Sequence, residues 1–415
     1  MTETTTASAA DGGDQKLPFV VPLLALGTFL MCTTEYIIAG LLREVSADYG
    51  VSLAQVGLLI TVFAVGMIIG APVMAIATLR FPRRVTLVVA LLVFAAGHVV
   101  AALSGSFEVA LIARVVTALA TGAFWSVASV VAMTAAGPAL SSRALGVMMS
   151  GVGLATVAGV PLGAFVGQQV GWRGAFWALA VLAVAAAAVI GRFAPADSQQ
   201  LPPSISSELR AFRSGRICLL VLATAGVTGG VMAAFSYISP LLTDRTSLPS
   251  WAVPLVLVGF GAGSLIGTNL GGRLGDRNPV RTFICAAVIG TVVLALLVPL
   301  SHYAAPTIVL VVLLGIAGMS VPPIATSLAM KIGRDAPTLS AAIAVSAFNL
   351  GIALGSWTAG RSLDSSLGIV GPEIVGAVMV GLGVIPLAIL AGIRNEPMAG
   401  TAAAIVEEPA PATRS

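Results

Sequence analysis

Apolar residues fall in long runs along this chain, broken by short polar or basic joints. Between Leu17 and Leu42 the one charged residue is Glu35, and the stretch from Leu53 to Leu79 carries none. Neither run alternates with period two, so neither reads as a strand of a membrane barrel. Apolar runs of about twenty residues can cross a bilayer as α-helices, and they recur to the end of the chain. They predict twelve helices, at roughly 17–42, 54–79, 84–104, 108–136, 143–168, 172–193, 216–241, 251–273, 280–301, 305–330, 338–361 and 371–392. The joint after the sixth, APADSQQLPPSISSELRAFRSGR, is rich in Pro and Ser and then basic. The pattern thus predicts an all-α integral membrane fold. A six-helix half spans 17–193, a cytoplasmic linker 194–215 and a second six-helix half 216–392, with disordered cytoplasmic tails over 1–16 and 393–415. The first tail lacks the basic start of a cleavable signal peptide.

Composition sharpens this picture. Hydrophobic residues make up 58% of the chain and charged residues 9%, with a mean hydropathy of +1.03. A soluble domain carries about 25% charged residues, so a water-soluble fold is excluded. Basic residues test the helix count. With both termini cytoplasmic, 16 of the 21 Lys and Arg fall inside, among them Arg80, Arg83, Arg84, Arg281 and Lys331. Four fall outside (Arg43, Arg173, Arg245, Arg361), and Arg114 falls within a helix. This is the positive-inside bias, and adding or removing one span in the first half scrambles it. The net charge of +4 then reflects topology, not nucleic-acid binding. Cys32, Cys218 and Cys285 form no CxxC, so neither a disulfide nor a metal site is expected. The chain has no HExxH, GxSxG or GxxxxGK(S/T), which argues against a hydrolase or an ATP-driven machine and predicts no cofactor.

Glycine is spaced. Gly66 and Gly70 fall in helix 2, Gly159, Gly163 and Gly167 in helix 5, Gly259, Gly263 and Gly267 in helix 8, and Gly351 and Gly355 in helix 11. Steps of four put each set on one helix face, where another helix can approach closely.

The joint after helix 2 reads ATLRFPRRVTL and that after helix 8 reads GGRLGDRNPVRTF, two short basic turns six helices apart. Such repetition predicts two related halves. GGRLGDRNPVR resembles the loop signature of the major facilitator superfamily, with Gly272, Leu274, Asp276 and Arg277 matching. In the first-half copy, Leu79 stands where the acidic residue belongs and Pro82 where a second Gly is usual. LIARVVTALATGAF, which holds Arg114, resembles the family's second motif. GLATVAGVPLGAFVG, with Gly159, Pro161 and Gly163, looks like the antiporter motif that marks exporters. The likeness covers nearly the whole chain. TTEYIIAGLL, VFAVGMIIGAPVMA and LLVFAAGHVV carry a nearer likeness to twelve-span drug:proton antiporters, particularly actinobacterial chloramphenicol exporters.

The resemblance implies the major facilitator fold of two pseudo-symmetric bundles, in which helix 5 meets helix 8 and helix 2 meets helix 11. The glycine ladders are then expected to pave that seam, with Pro161 bending helix 5. General tight packing is the alternative. Asp276, Arg273 and Arg277 are expected either to set topology or to latch the cytoplasmic side against a neighbouring helix N-terminus.

Seventeen acidic residues occur, and Glu35 is the one placed well inside a predicted span. A charge there costs about 2.5–3.5 kcal/mol on insertion scales. The cation that could offset it is Arg114, the one basic residue within a helix. A carboxylate pulled between burial and a movable cation can gain and lose a proton, so Glu35 and Arg114 are expected to couple transport to protons. The alternatives are that helix 1 ends early, leaving Glu35 at the interface, and that Arg114 merely ties backbone carbonyls. Helical spacing puts Thr28 and Met31 on the Glu35 face and Thr121 and Trp125 on the Arg114 face. Thr224, Thr228 and Phe235 line up on helix 7, and Asn349 with Ala342 and Ser356 on helix 11. Such a lining suits a lipophilic, hydrogen-bonding molecule. His98 in helix 3 reads either as a proton relay or as a lone histidine hydrogen-bonded within the bundle. The expected function is proton-coupled export of a drug such as chloramphenicol from the cell membrane, by a monomer. Export of a sugar or biosynthetic metabolite on the same fold is the alternative.

Overall fold

The first helix outruns its apolar stretch. In the computed structural model, which describes residues 17–137, 140–194, 215–332 and 337–395, α1 continues from Val20–Tyr49. It stops at Gly50, whose φ of 66° is left-handed and whose N–H reaches back to the Ser46 carbonyl. Glycine adopts that conformation without the strain a Cβ brings. Ser52 opens the next helix with a capping box: its hydroxyl accepts from the Gln55 N–H, and the Gln55 side chain accepts from the Ser52 N–H. Glu35 is therefore mid-helix, and the expectation that helix 1 ends near residue 42 is corrected.

Among the described residues, twelve helices are long and apolar enough to cross a membrane. They are α1 (Val20–Tyr49), α2 (Leu53–Met74), α3 (Arg83–Leu103), α4 (Phe107–Ala136), α5 (Arg143–Val170), α6 (Trp172–Phe193), α7 (Gly215–Ser236), α8 (Ser250–Arg277), α9 (Pro279–Leu300), α10 (Ala304–Ile332), α11 (Ile343–Leu363) and α12 (Gly368–Ile393). Every regular element among the described residues is helical. The tails over 1–16 and 396–415 and the linker core over 195–214 lie outside the described residues.

Among the described residues, three helices are interrupted, each beside proline. Pro161 has no N–H to offer the preceding turn, and Ala155–Gly159 of α5 wind as a π turn instead. α7 ends at Ser236, not near 241, because Tyr237 leaves the helical region and Pro240 follows. A short piece (Ile238–Pro240) and a second π turn (Leu241–Arg245) complete that end. α10 breaks at Ser320, just ahead of Pro322 and Pro323.

In the first half α1 packs on α5 and α6, α2 on α4, and α3 on α4 and α6. In the second, α7 packs on α11 and α12, α8 on α10, and α9 on α12. The halves meet through α2 with α11 and α5 with α8.

The glycine ladders do not line these cross-half contacts. A Cβ on Gly66 would stand 2.7 Å from Ala118, and one on Gly70 2.7 Å from Leu119, both on α4. Gly159, Gly163 and Gly167 face Thr33, Ile37 and Leu41 of α1. Gly259, Gly263 and Gly267 face Val312 and Ile316 of α10, and Gly351 and Gly355 face Thr228 and Gly229 of α7. Each ladder thus closes a pair within one half, and its assignment to the seam is corrected. A helix has several faces, and the ladder face is not the one turned to the other half. Different glycines serve the seam. Gly261 of α8 lies on the Thr156–Val157 backbone of the π turn, Gly153 of α5 faces Leu265, and Gly360 of α11 faces Ala54 and the Tyr237 hydroxyl.

The face of the molecule that carries Arg80, Arg84, Arg273 and Arg281 is its basic face; the seam is closed toward the opposite one. There Arg43 pairs with Asp244 across the halves, and the Gln168 side chain donates to the Ser250 carbonyl at 2.8 Å. Tyr237, 1% exposed, fills the space that Gly57 and Gly360 leave between α2 and α11. An exposed ion pair is worth about 0.2–1 kcal/mol. What joins α2 to α11 is instead the 2.7 Å bond between the Thr61 and Ser356 hydroxyls, and Tyr237, whose hydroxyl donates to the Ser356 carbonyl at 3.1 Å.

Gly261→Val would drive a Cβ into backbone that cannot yield without unwinding the π turn. In a background lacking native cysteines, cross-linking between Gln168→Cys and Ser250→Cys should fall several-fold in that variant. Gly163→Val, which meets the flexible end of Ile37 within one half, should leave it unchanged.

Candidate functional site

Glu35 is the sixteenth of thirty residues in α1 and is 9% exposed. Its neighbours define where it points. Each residue turns the helix by about 100°. Thr34 meets α4 through Arg114, and the Tyr36 ring meets Phe235 of α7 edge-on, with centroids 6.3 Å apart. Glu35 projects between these two directions, from the face it shares with Thr28 and Met31.

Arg114 lies eight residues into α4, which Ser106 caps by accepting from the Val109 N–H. Its side chain, 2% exposed, crosses to α1 and α2. Nε donates to the Leu59 carbonyl at 3.1 Å. Nη1 donates to the Thr34 carbonyl at 3.1 Å and to its hydroxyl at 2.9 Å. The guanidinium carbon sits 4.3 Å above the Phe63 ring. Nη2 is buried without a partner. Among the described residues Arg114 makes no salt bridge to Glu35. In this conformation the cation is tied to neutral acceptors one residue away from the acid.

His98 belongs to the same network. Its Nε2 is 2.7 Å from the Thr34 hydroxyl and its Nδ1 is 2.8 Å from the Phe94 carbonyl. The ring, 1% exposed, packs on Phe94 and Phe176. The signal was present in the chain: a lone imidazole in an apolar run must find hydrogen-bond partners.

The expected cavity residues fall into separate groups. Thr121 donates to the Thr117 carbonyl at 2.8 Å and lies 3.3 Å from the Met31 sulfur, so Met31 and Thr121 form an α1–α4 contact. Thr28 bonds to its own helix at Leu24, and Trp125 is half-buried. Thr228 donates to the Thr224 carbonyl at 2.7 Å and faces Gly351 of α11. Asn349 lies on the other side of α11, the face where Ser356 bonds Thr61 of α2 at 2.7 Å. Its amide donates to Val345, while its Oδ1 and the Thr224 hydroxyl are buried without partners. Thr228 and Asn349 therefore address different faces of α11. Phe235 stacks on Phe260 at 4.2 Å and joins the Tyr36 side of the site. The Ala342 side chain lies outside the described residues.

A second acid is buried. Glu373, in the first turn of α12, is fully enclosed, and neither carboxylate oxygen has a partner. Glu373 lies at the start of its helix, so it does not contradict the expectation that Glu35 is the acid placed well inside a span. It packs within its own half, where α12 meets α7, α9 and α11. At the basic face Asp276, Arg273 and Arg277 are exposed, and among the described residues none has a side-chain partner, so no latch is engaged there. The Leu79 side chain lies outside the described residues.

The family model described as Major Facilitator Superfamily matches residues 24–356. A chloramphenicol resistance protein of Streptomyces lividans is 35% identical over 88% of this chain and 94% of its own length. The inner membrane transport protein YdhP of Escherichia coli (strain K12) is 30% identical over 92% of this chain and 98% of its own. A solved bacterial homolog to the human lysosomal transporter Spinster, in an inward-facing and occupied conformation, superposes with a TM-score of 0.76 at 16% identity. It covers 91% of this chain and 96% of that one.

Arg114→Leu would remove the charge-assisted bonds to the Leu59 carbonyl and to the carbonyl and hydroxyl of Thr34, each worth about 1.5–3 kcal/mol. The melting temperature of the purified protein in detergent should fall accordingly. Trp125→Ala, at a half-buried site, should lower it less.

Proposed function

This chain belongs to the Major Facilitator Superfamily, and on that premise we propose that it is a drug:proton antiporter exporting chloramphenicol or a related lipophilic antibiotic. That it is a multi-pass membrane transporter follows from the family and the twelve spans. The proton half of the proposal is carried by one observation: a buried acid at the middle of α1, one residue from the group that holds a buried arginine with a free Nη2. The cargo half draws on the chloramphenicol resistance protein, similar over nearly its whole length.

In this reading the basic face is cytoplasmic, by the positive-inside rule. Both termini then lie in the cytoplasm of a cell whose plasma membrane holds the protein. The contacts of Arg43 with Asp244 and of Gln168 with Ser250 then lie on the outer side, which supports reading this conformation as inward-facing. Glu35 carries the proton. While Glu35 holds it, Arg114 rests on the carbonyls of α1 and α2. When Glu35 releases it inward, the carboxylate becomes the stronger acceptor for Nη2, and drug takes its place between the halves near Tyr36 and Phe235. One charge moving down 100 mV supplies about 2.3 kcal/mol, before any pH gradient. No cofactor is needed, and one chain contains both halves of the path, so it works as a monomer.

The test is export against a gradient. Expressed in a sensitive bacterium, the chain should raise tolerance to chloramphenicol, and a protonophore should abolish the gain. Glu35→Gln, equal in size but unable to ionise, should bring the outward drug gradient to near equality while insertion and abundance hold. A Glu35→Gln protein that still concentrates chloramphenicol outward would overturn the proton assignment. Unchanged tolerance across an amphenicol panel would overturn the cargo.

A further inference from the structure

The hydrogen bonds around Thr34 have a fixed direction. A backbone carbonyl can only accept, so the 2.8 Å contact at Phe94 assigns the proton of His98 to Nδ1. Nε2 then presents a lone pair, and the Thr34 hydroxyl, 2.7 Å away, must donate to it. Arg114 has no acceptor, so at 2.9 Å its Nη1 donates to the same oxygen. The chain runs one way, from Arg114 through Thr34 and His98 to the Phe94 carbonyl, across α4, α1 and α3. A second proton on His98 would aim Nε2–H and Nη1–H at one oxygen and put two positive charges side by side. From α4 the charged group beside His98 is Arg114; α6 offers the Phe176 ring, and α1 the Thr34 hydroxyl with Glu35 the next residue.

We propose that His98 is the positioning residue of the Glu35–Arg114 couple. By taking the hydroxyl proton of Thr34, it keeps that oxygen's lone pair turned to Arg114 and parks the guanidinium short of Glu35. Without His98 the Thr34 hydroxyl has another acceptor, the carbonyl one turn back on its own helix, which Thr28 and Thr33 already use at Leu24 and Phe29. Arg114 then loses an acceptor on the parked side and pairs with Glu35 sooner. An opposite charge nearby favours the ionised carboxylate, so Glu35 gives up its proton at lower pH.

Because His98 acts through Glu35 as the proton carrier proposed above, the test uses no drug. Purified protein in detergent is titrated with pH while the infrared carbonyl stretch of the protonated acid is followed, the band being assigned to Glu35 by its loss in Glu35→Gln. His98→Leu should lower the midpoint by about one pH unit, and Thr34→Val should move it the same way. His98→Gln, whose side-chain oxygen reaches the place of Nε2, and Thr34→Ser should stay with the wild type. The double variant His98→Leu/Thr34→Val should shift no further than the larger single one, since both cut one chain. An unmoved midpoint in His98→Leu and Thr34→Val, or an equal shift in His98→Gln and His98→Leu, overturns the proposal. If His98→Leu fails to fold, Thr34→Val, nearly identical in shape, decides alone. A chain that exports no chloramphenicol yet shows the shift sinks the cargo reading and keeps this one. Lost coupling in Glu35→Gln with no shift in the His98 and Thr34 variants does the reverse.

Discussion

A guanidinium inside a bilayer must find its acceptors within the protein, and the way Arg114 finds them organises the first half. It draws on a carbonyl of α2 and on both oxygens of Thr34 in α1 while rooted in α4. Through Thr34 it reaches His98 on α3. Four helices are thereby held in register by one side chain, in a medium where an unmet polar group costs several kcal/mol. The guanidinium's one unmet donor is Nη2, and Nη1 is held at Thr34, one residue from the acid at the middle of α1. That leftover donor is what gives the proposed proton couple its chemistry.

Lipid supplies no hydrophobic drive between helices, so close approach of backbones carries much of the association. The glycines divide accordingly. Stepped ladders bring α2 to α4, α5 to α1, α8 to α10 and α11 to α7, each pair inside one half. Single glycines at 153, 261 and 360 serve the joint between halves, with Tyr237 as a plug and one exposed ion pair at the rim. Tight bundles joined by fewer, mixed contacts are what allow one packed body to move on another. The π turn ahead of Pro161 lies on this joint, where α5 presents backbone to Gly261.

Position separates the two buried acids. Glu373 packs within the second half at the start of α12, whereas Thr34, Glu35 and Tyr36 are consecutive and address three different places. Thr34 holds Arg114, Tyr36 touches Phe235 of the other half, and Glu35 points between them. An acid so placed adjoins both the network that stiffens its own bundle and a ring contact between the two bundles.

The twelve spans and their all-helical character were legible from the chain alone, because only runs of about twenty apolar residues satisfy a bilayer and their own backbone together. Glu35 and Arg114 stood out for the same reason, as charges in apolar surroundings. Periodicity names residues that share a face but not what that face meets. The ladders were therefore visible while their partners were not, and Asn349 and Thr228 looked like one cavity wall until α11 turned them to opposite sides. Helix ends set by a left-handed glycine or a capping box outran the apolar run they were read from. The bond from Arg114 to Thr34 in place of Glu35, and the part His98 takes in it, were decided by tertiary structure, because a hydrogen bond depends on distances of tenths of an ångström between atoms 64 and 80 residues apart.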